Sequence, residues 1–462
     1  RGRASALLSE LEAGARGAER LAREREADRR LLADLDRIAL PGEDDIGSQD
    51  LSLREARRKD AEYRKLFQSL GLEANGPQLS PEGLRTLRGS ALSRELAAAL
   101  DDWAFARRKS GDPEWRHLVR ASREVDPDPV RDRLREALLL EPAAPDALRA
   151  AVVQDPVTGL PPLTALLAAS ALEELGARTE AIDLLKKVQM VHPGHFNLSF
   201  ELGLALEADP APDWREIARC YTAARAARPR SIEALHRRGQ AWDRGGSPRL
   251  AADAFAEAVR LEPERAHWRS HLGSMLRKQG DIDSALSAYR EGVRLDPGDH
   301  ELQAMLGESL IQKHLFEEAV VHCRESVRLH PAAAAYWANL AVALGETGSV
   351  DEALLAARES LRLDPHSARV HGSLSMELLK KGDVDLAIAS AEEALRLDPA
   401  HGPSHAILGQ ALVAKGEIEK ALPSFEERVR LEPANPVARY QAAWVNERAG
   451  RLDPAIEGYR EA

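Results

Sequence analysis

The sequence has few aromatic residues and almost no cysteine. Phe, Trp and Tyr make up 4% of its 462 residues, and only two residues are cysteine. Strands are enriched in aromatic and β-branched residues, whereas the abundant Ala, Leu, Arg and Glu favour helices over strands. Two cysteines also exclude a disulfide framework and a cysteine-rich zinc fold.

Long apolar runs and an excess of positive charge are missing as well. No run of about 18 apolar residues occurs, so we expect no transmembrane span. With 64 basic and 75 acidic residues the net charge is -11, and we therefore expect no nucleic-acid partner. At 44% hydrophobic and 30% charged residues, the composition is typical of a folded chain and not of a disordered tail.

Catalytic motifs are also absent. There is no Gly-rich phosphate loop, His-Arg-Asp loop or Asp-Phe-Gly motif, and no Ser-His-Asp arrangement or carboxylate pair stands out. We predict that this chain is not an enzyme and uses no cofactor and no metal. Because the sequence begins at Arg1 instead of Met and ends at Ala462 inside a predicted helix, we expect a fragment of a longer protein.

Proline and glycine, in contrast, recur with a period of 34 residues. The prolines close similar phrases such as Arg294-Leu-Asp-Pro, and they are Pro229, Pro263, Pro297, Pro331, Pro365, Pro399 and Pro433. Glycines repeat in the same phase at Gly246, Gly280, Gly348, Gly382, Gly416 and Gly450, with His314 in the remaining slot. Apolar residues at helical spacing fill two segments per period. Gly then supplies the positive φ of a tight turn between two helices, and Pro ends the second helix because it has no N–H.

Small residues predict where the two helices of a period cross closely. First segments carry Gly239, Gly273, Gly307 and Gly409, and second segments carry Ala251, Ala285, Ala319, Ala353, Ala387, Ala421 and Ala455. We expect large side chains to fill the adjoining space, namely Phe255, Tyr289, Phe425 and Tyr459. Cys220 and Cys323 fall on apolar faces and are predicted to be small core residues.

These features resemble the tetratricopeptide repeat, a 34-residue helix–turn–helix unit. We assign eight units over residues 162–435 and a truncated ninth from 436, with two extra residues near 209–212. The resemblance implies an all-α, right-handed α-solenoid in which neighbouring units complete one another's core. It also implies that the first helices line a concave wall, which in this family commonly binds a peptide or a partner helix.

A helical region is predicted to precede the array. We divide the chain into a charged helical arm with an acidic loop (1–53), a Trp-containing helical unit (54–125), an irregular helical transition (126–161) and the repeat array (162–462). Trp103, Phe105 and Trp115 are the predicted core anchors of the second segment.

Motifs in this region give a second resemblance. Leu31-Leu-Ala-Asp-Leu, Asp102-Trp-Ala, Asp112-Pro-Glu-Trp-Arg and Asp126-Pro-Asp-Pro, followed by the repeats, resemble the C-terminal region of planctomycete-type bacterial serine/threonine protein kinases. The resemblance implies a kinase domain upstream of Arg1, and ATP would bind only there. We expect a cytoplasmic location, and a membrane anchor in the parent protein is left open.

The phase of the repeats places candidate binding residues on the first helices. We predict a groove that is basic near His236–Lys278 and aromatic near Tyr440–Trp444. Its candidate residues are His236, Arg237, His267, His271, Arg277, Lys278, Asn339, Arg369, Tyr440 and Trp444, with Glu301, Glu308, Lys380 and Gln441 on the same wall.

Three sharper interpretations of this groove are disfavoured by the residues themselves. His267 and His271 have the i, i+4 spacing of a zinc or nickel chelate, but a third ligand is needed and His236 is only a guess. Asn339 and Arg369 match part of a clamp for a C-terminal carboxylate, yet Ala304 and Glu308 stand where that clamp needs Lys and Asn. The asparagine ladder of O-linked N-acetylglucosaminyltransferase has only Asn339 as a counterpart.

We therefore predict a protein–protein interaction scaffold, as the non-catalytic C-terminal region of a bacterial serine/threonine protein kinase. The alternatives are a stand-alone adaptor and the repeat arm of a glycosyltransferase.

Overall fold

The computed structural model describes residues 19, 22–35, 37–38, 51–70, 80–139, 150 and 159–462. These residues form helices and turns without any strand, so the predicted all-α class is confirmed for them. The chain divides into two compact units, residues 1–246 and residues 247–462. Across the described ranges, no helix has both the length and the apolar character needed to cross a bilayer.

Some predicted features lie outside the described residues. They are most of the acidic loop before residue 51, Leu21 in the N-terminal arm, and residues 140–149 and 151–158 of the predicted transition. The described part of that transition forms a regular helix, Pro129–Leu139.

In the first unit, helical residues 22–35 and 37–38 precede five helices, of which four belong to the Trp-containing region and the last to the predicted transition. They are α1 (Leu51–Ser69), α2 (Pro81–Arg88), α3 (Ser93–Lys109), α4 (Trp115–Val125) and α5 (Pro129–Leu139). Helix α3 is central, because it packs on both α1 and α4. Its buried alanines, Ala97, Ala98 and Ala99, allow this close packing.

An aromatic cluster joins α1 to α3. Phe67 and Trp103 stack with ring centroids 5.4 Å apart, and Tyr63 lies 6.2 Å from Trp103. The indole N–H of Trp103 donates to Asp60 at 2.7 Å, and Arg107 Nε donates to the same carboxylate oxygen at 2.7 Å. Burial alone would raise the pKa of Asp60, but these two donors lower it overall. Trp103 and Trp115 are buried, as predicted, while Phe105, the third predicted anchor, is half-buried.

A buried charge network fixes α5 against α3 and α4. Arg135 is 2% exposed, and its Nε donates to Asp101 Oδ2 at 2.9 Å. Ser122 donates to the other oxygen of Asp101 at 2.5 Å, while Arg135 Nη1 donates to the carbonyl of Asp126 at 3.0 Å. Asp126, the first residue of the Asp-Pro-Asp-Pro motif, also pairs with Arg131. The motif therefore marks the end of α4, and its first residue accepts hydrogen bonds from two arginines of α5.

The repeats of the first unit follow as helix pairs. They are α6 (Pro162–Glu174) with α7 (Arg178–Val191) and α8 (Phe196–Glu207) with α9 (Trp214–Ala227), followed by α10 (Ile232–Arg244). The extra residues predicted near 209–212 lie in the turn between α8 and α9. Asp213 ends this turn, and its carboxylate accepts from the Arg215 N–H at 2.9 Å at the start of α9.

The second unit contains α11 (Pro248–Leu261) and six further pairs. These are α12 (Ala266–Lys278) with α13 (Ile282–Leu295), α14 (His300–Gln312) with α15 (Phe316–Leu329), α16 (Ala334–Glu346) with α17 (Val350–Leu363), α18 (Ala368–Lys381) with α19 (Val384–Leu397), α20 (Gly402–Ala414) with α21 (Ile418–Leu431), and α22 (Pro436–Arg448) with α23 (Leu452–Glu461). Each second helix also packs on the next first helix. Within the unit, this is a solenoid of helix pairs, as predicted.

The predicted close crossings at Gly273, Gly307 and Gly409 are present. A Cβ added at Gly273 would lie 2.6 Å from Tyr289, at Gly307 2.6 Å from Cys323 Sγ, and at Gly409 2.6 Å from Phe425. Each distance is below van der Waals contact, so only glycine fits. Burial raises the pKa of Cys323 to about 12, which agrees with an unreactive core residue. Tyr459 differs from its predicted core role, since it is 37% exposed and donates to Glu447 at 2.8 Å.

The turn glycines have the predicted left-handed conformation. Gly382, with φ of 91°, ends α18, and the next residue, Asp383, donates its N–H to the Leu378 carbonyl at 2.9 Å. His314 has φ of 58° and is the one described non-Gly residue with positive φ. Gly176 takes the same place in the first repeat, a position that the sequence analysis missed.

Each second helix ends two residues before its proline. The carbonyl oxygen of that proline then serves as a hydrogen-bond acceptor. The side chain six residues later donates to it in five successive repeats of the second unit. The donors are Arg269, Gln303, Trp337, His371 and His405, and the acceptors are the carbonyls of Pro263, Pro297, Pro331, Pro365 and Pro399. These bonds tie each inter-repeat turn to the first turns of the following helix.

Replacing Arg135 by Met should destabilise the first unit by about 3–5 kcal/mol, because Asp101 would be left buried without its cation. Urea unfolding followed by tryptophan fluorescence would measure this change. Arg133→Met on the exposed face of the same helix is the control, with an expected change within about 0.5 kcal/mol. Adding Asp101→Asn to Arg135→Met should recover part of the loss; equal effects of the two single Arg variants would contradict the network.

Replacing Gly409 by Ala should destabilise the second unit by roughly 1–3 kcal/mol, since the new methyl group would overlap the Phe425 ring. The urea midpoint, followed by circular dichroism, would show the loss. Gly194→Ala makes the same chemical change where no atom lies within 4 Å, and it should be near neutral. Phe425→Leu in the Gly409→Ala background should restore stability in part, and a failure to do so would argue against the crossing as the cause.

Candidate peptide-binding surface

In the second unit the first helices form a continuous row. Helix α12 contacts α14, α14 contacts α16, α16 contacts α18, and α18 contacts α20. Side chains bridge the row: Ser270 Oγ on α12 lies 3.4 Å from Met305 Sδ on α14, and Lys380 Nζ on α18 donates to the Gly345 carbonyl of α16 at 3.0 Å. We call the surface of this row the first-helix face, and the placement of the candidate residues on it stays a prediction.

The cations of this face are partly neutralised. Arg277 Nη1 lies 2.6 Å from Glu308 Oε1, a bridge from α12 to α14. Lys380 donates to Glu377 Oε1 at 2.8 Å, although Glu377 was not among the predicted wall residues. Arg277 and Lys380 thus each contact a carboxylate within the unit. The net positive charge of the face is therefore smaller than a count of its arginines and lysines alone would indicate.

An exposed aromatic group lies on α22. Tyr440 is 54% exposed, and its ring centroid is 5.5 Å from that of Tyr459. Trp444, one turn further along α22, is half-buried, and the Arg448 guanidinium lies 4.7 Å from its ring centroid. Tyr440 and Trp444 are four residues apart and so occupy the same side of the helix. This is the largest exposed aromatic surface on the predicted groove residues.

Two predicted groove residues, His236 and Arg237, belong to the first unit. Arg237 Nε donates to Glu233 at 2.9 Å and Nη1 to Glu207 at 3.2 Å, while Tyr221 also donates to Glu207 at 2.7 Å. Burial opposes the charge of Arg237, but the hydrogen bonds and the carboxylates raise its pKa overall. Arg237 therefore serves packing between α8, α9 and α10 rather than offering a free cation.

His267 and His271 lie side by side on α12. Their Nε2 atoms are 3.0 Å apart, and the His271 ring stacks on Phe255 with centroids 4.8 Å apart. Burial lowers the pKa of His267, although Asp299 and Glu301 oppose this shift. The pair has the distance of two ligands of one metal ion, while the proposed third ligand, His236, belongs to the other unit.

Asn339 and Arg369 lie on α16 and α18. Asn339 is half-buried and Arg369 is exposed. Their side chains have no hydrogen bond or ion pair to other described residues, and both are available to a ligand.

A cavity of about 200 Å³ in the first unit was not predicted. It lies between α1, α3, α6, α7 and α8 and is lined by Lys59, Asp102, Phe105, Glu173 and Leu185 among others. Two of its polar groups bond to each other, since Lys59 Nζ lies 3.2 Å from Asp102, and Tyr63 donates to the same carboxylate at 2.7 Å. No sequence signal marked the cavity, because its residues come from five helices that extend over about 150 residues of the chain.

Comparison with known proteins identifies the repeats. A sequence model described as the tetratricopeptide repeat matches residues 238–300, 304–368, 373–436 and 408–462. The repeats of these ranges are thus similar to the tetratricopeptide repeat. A search of curated proteins found no match.

The solved structures with similarity to this chain reported below each cover less than half of it. MamA residues 41 to the end from Desulfovibrio magneticus RS-1 is 20% identical, with 37% of this chain and 96% of that chain covered and a TM-score of 0.35. YrrB, described as a TPR protein with an unusual peptide-binding site, is 20% identical, with 40% and 96% covered and a TM-score of 0.35. PilF from Pseudomonas aeruginosa is 18% identical, with 45% and 95% covered and a TM-score of 0.39.

Histidine protonation should lower the stability of the second unit in mild acid. Burial lowers the pKa of His322 and His401, so each folded-state pKa lies below its unfolded value near 6.5. The unfolded chain then binds more protons, and stability is full above about pH 6.5 and falls as the pH drops below that value. Thermal unfolding should occur a few degrees lower at pH 5.5 than at pH 7.5.

His322→Gln should reduce this pH dependence, because His322 is half-buried and contacts Gln303 at 2.8 Å. His366→Gln, at an exposed position, is the matched control and should leave the dependence unchanged. A pH dependence that is identical in the wild type and in His322→Gln would contradict this assignment.

Proposed function

We propose that the tetratricopeptide repeats of residues 238–462 bind a peptide or a helix of a protein partner on their first helices, through the first-helix face and α22. The aromatic pair of α22, exposed Tyr440 with half-buried Trp444, is the observation that carries this proposal. Exposed aromatic side chains contribute much of the binding energy at protein interfaces, because they bury a large area at a small entropic cost.

The remaining groups of the face suit recognition of a polar main chain. Asn339 can both donate and accept hydrogen bonds, and exposed Arg369 can contact a carboxylate. A ligand that lies along the row could therefore contact an aromatic end and a polar middle. The face offers no arrangement for covalent chemistry, and binding is the role that we assign to it.

We further propose that this chain is the non-catalytic C-terminal region of a bacterial serine/threonine protein kinase, in the cytoplasm. The motifs Asp102-Trp-Ala, Asp112-Pro-Glu-Trp-Arg and Asp126-Pro-Asp-Pro support this proposal by their order before the repeats. The coding sequence upstream of Arg1 tests it: a Gly-rich loop and a His-Arg-Asp motif are expected there. A start codon directly before Arg1 would favour a stand-alone adaptor instead, and a catalytic domain after Ala462 would favour a glycosyltransferase arm.

Replacing Tyr440 and Trp444 by Ala should weaken ligand binding by roughly 30-fold, since a buried aromatic contact at an interface contributes about 2 kcal/mol. The probes are linear 12-residue peptides selected by display on the full chain, and their affinities would be measured by fluorescence anisotropy. Arg362→Ala on the outer side of α17 is the control and should bind as the wild type does. Selected peptides that bind the double variant as tightly as the wild type would refute the site.

A further inference from the structure

Ion pairs connect successive second helices at a fixed register. Arg290 of α13 donates to Glu318 of α15 through Nε at 3.0 Å and Nη2 at 2.9 Å. Thirty-four residues further, Arg324 of α15 donates to Glu352 of α17 at 2.5 Å. Two consecutive steps of the second unit thus hold the same pair of residue types at the same two positions. We call this series the outer ladder.

The third step of the outer ladder is broken. The equivalent positions are Arg358 of α17 and Leu386 of α19. Arg358 is exposed and forms no ion pair with the residues that the structure describes. Its charge acts instead on Lys381, which has the same sign and which bonds to Asp351 at 2.7 Å. Leu386, in the place of a carboxylate, is 55% exposed.

Two further aliphatic residues lie in register with this break. Leu355 precedes Arg358 by three residues, so the two are neighbours on one side of α17, and it is 65% exposed. Val321 occupies the same position as Leu355 one repeat earlier, on α15, and it is 62% exposed. We call Val321, Leu355, Arg358 and Leu386 the outer patch. A single exposed leucine is ordinary on a protein surface. Several exposed aliphatic residues in register with a cation that has no carboxylate partner are typical of a binding site.

We propose that the outer patch binds an amphipathic helix of a protein partner that carries a carboxylate among aliphatic side chains. The carboxylate takes the place beside Arg358 that Glu318 and Glu352 occupy in the neighbouring steps. The aliphatic side chains cover Leu355 and Leu386. This surface lies on the second helices, and the proposal does not depend on the first-helix face.

Charge complementarity determines the sign of the charge that the partner must carry. Arg358 gives this part of the surface a guanidinium without a carboxylate among the described residues, whereas Lys381 is already paired with Asp351. A guanidinium binds a carboxylate through two parallel hydrogen bonds, as Arg290 does with Glu318. A basic partner would be repelled here. A purely apolar partner would leave Arg358 covered but unpaired, which is costly.

The helical form of the partner follows from the backbone. The second helices have no open strand edge, so an extended peptide cannot pair with them as an added strand. A helix presents residues three and four apart on one side, and it can therefore place a carboxylate and two aliphatic groups over the patch at once.

The test uses a display library of helical peptides on a fixed scaffold, selected on the full chain. Peptides with Asp or Glu three or four residues from Leu or Ile should be enriched, and Leu386→Glu should weaken their binding at least 10-fold in fluorescence anisotropy. This substitution gives Arg358 the same partner that Arg324 has, so the fold should be retained and thermal stability should not fall. Replacing the peptide carboxylate by Gln should have a similar effect, and the two changes together should be less than additive.

Leu452→Glu makes the same change at another exposed position of the second unit, and it should leave the affinity unchanged. The proposal is overturned if no enriched peptide depends on Leu386, or if Leu386→Glu and Leu452→Glu have equal effects. Peptides that lose affinity with Tyr440→Ala and Trp444→Ala but not with Leu386→Glu would support the first-helix face and count against the outer patch. The two proposals can thus fail separately.

Discussion

The structure depends on how closely the two helices of each repeat approach each other. At Gly273, Gly307 and Gly409 the backbone of the first helix leaves no room for even a methyl group against the second helix. This approach buries Tyr289, Cys323 and Phe425 almost completely, but the pair still has apolar residues on its outer sides. The next pair must cover those residues, and stacking is the result. In the second unit, the row of first helices is a direct product of this requirement.

In the first unit, buried charged residues take part in the packing of the helices. Its N-terminal helices bury two tryptophans, but they also bury Asp101 and Arg135, which lie 34 residues apart in sequence and meet only in the fold. A buried pair of this kind adds little net stability compared with apolar residues, yet it tolerates few alternative arrangements. The Asp-Pro-Asp-Pro motif thereby acquires a physical role, since Asp126 ends one helix and holds two arginines of the next.

The repeats could be predicted from sequence because the backbone requires particular residues at particular places. A left-handed turn favours Gly, a helix end accepts Pro, and a close crossing needs a small residue, so each constraint leaves a visible period. His314 shows the limit of this rule, because the turn is kept there without glycine. Partners on neighbouring helices leave no such period: Glu308 beside Arg277, or Glu377 beside Lys380, could not be paired in advance. For the same reason the binding residues remain predictions, whereas the fold of the described residues is confirmed.

The bonds to the proline carbonyls have a consequence for how such an array grows. Donor and acceptor are six residues apart and span the boundary between two repeats, but the donor is Arg, Gln, Trp or His in different copies. A gain or loss of 34 residues by recombination would place the proline of one repeat before the donor of another repeat. The hydrogen bond between the donor and the proline carbonyl would still form. The gene can therefore change the number of its repeats without first evolving new junctions, while each copy remains free to diverge in side-chain chemistry.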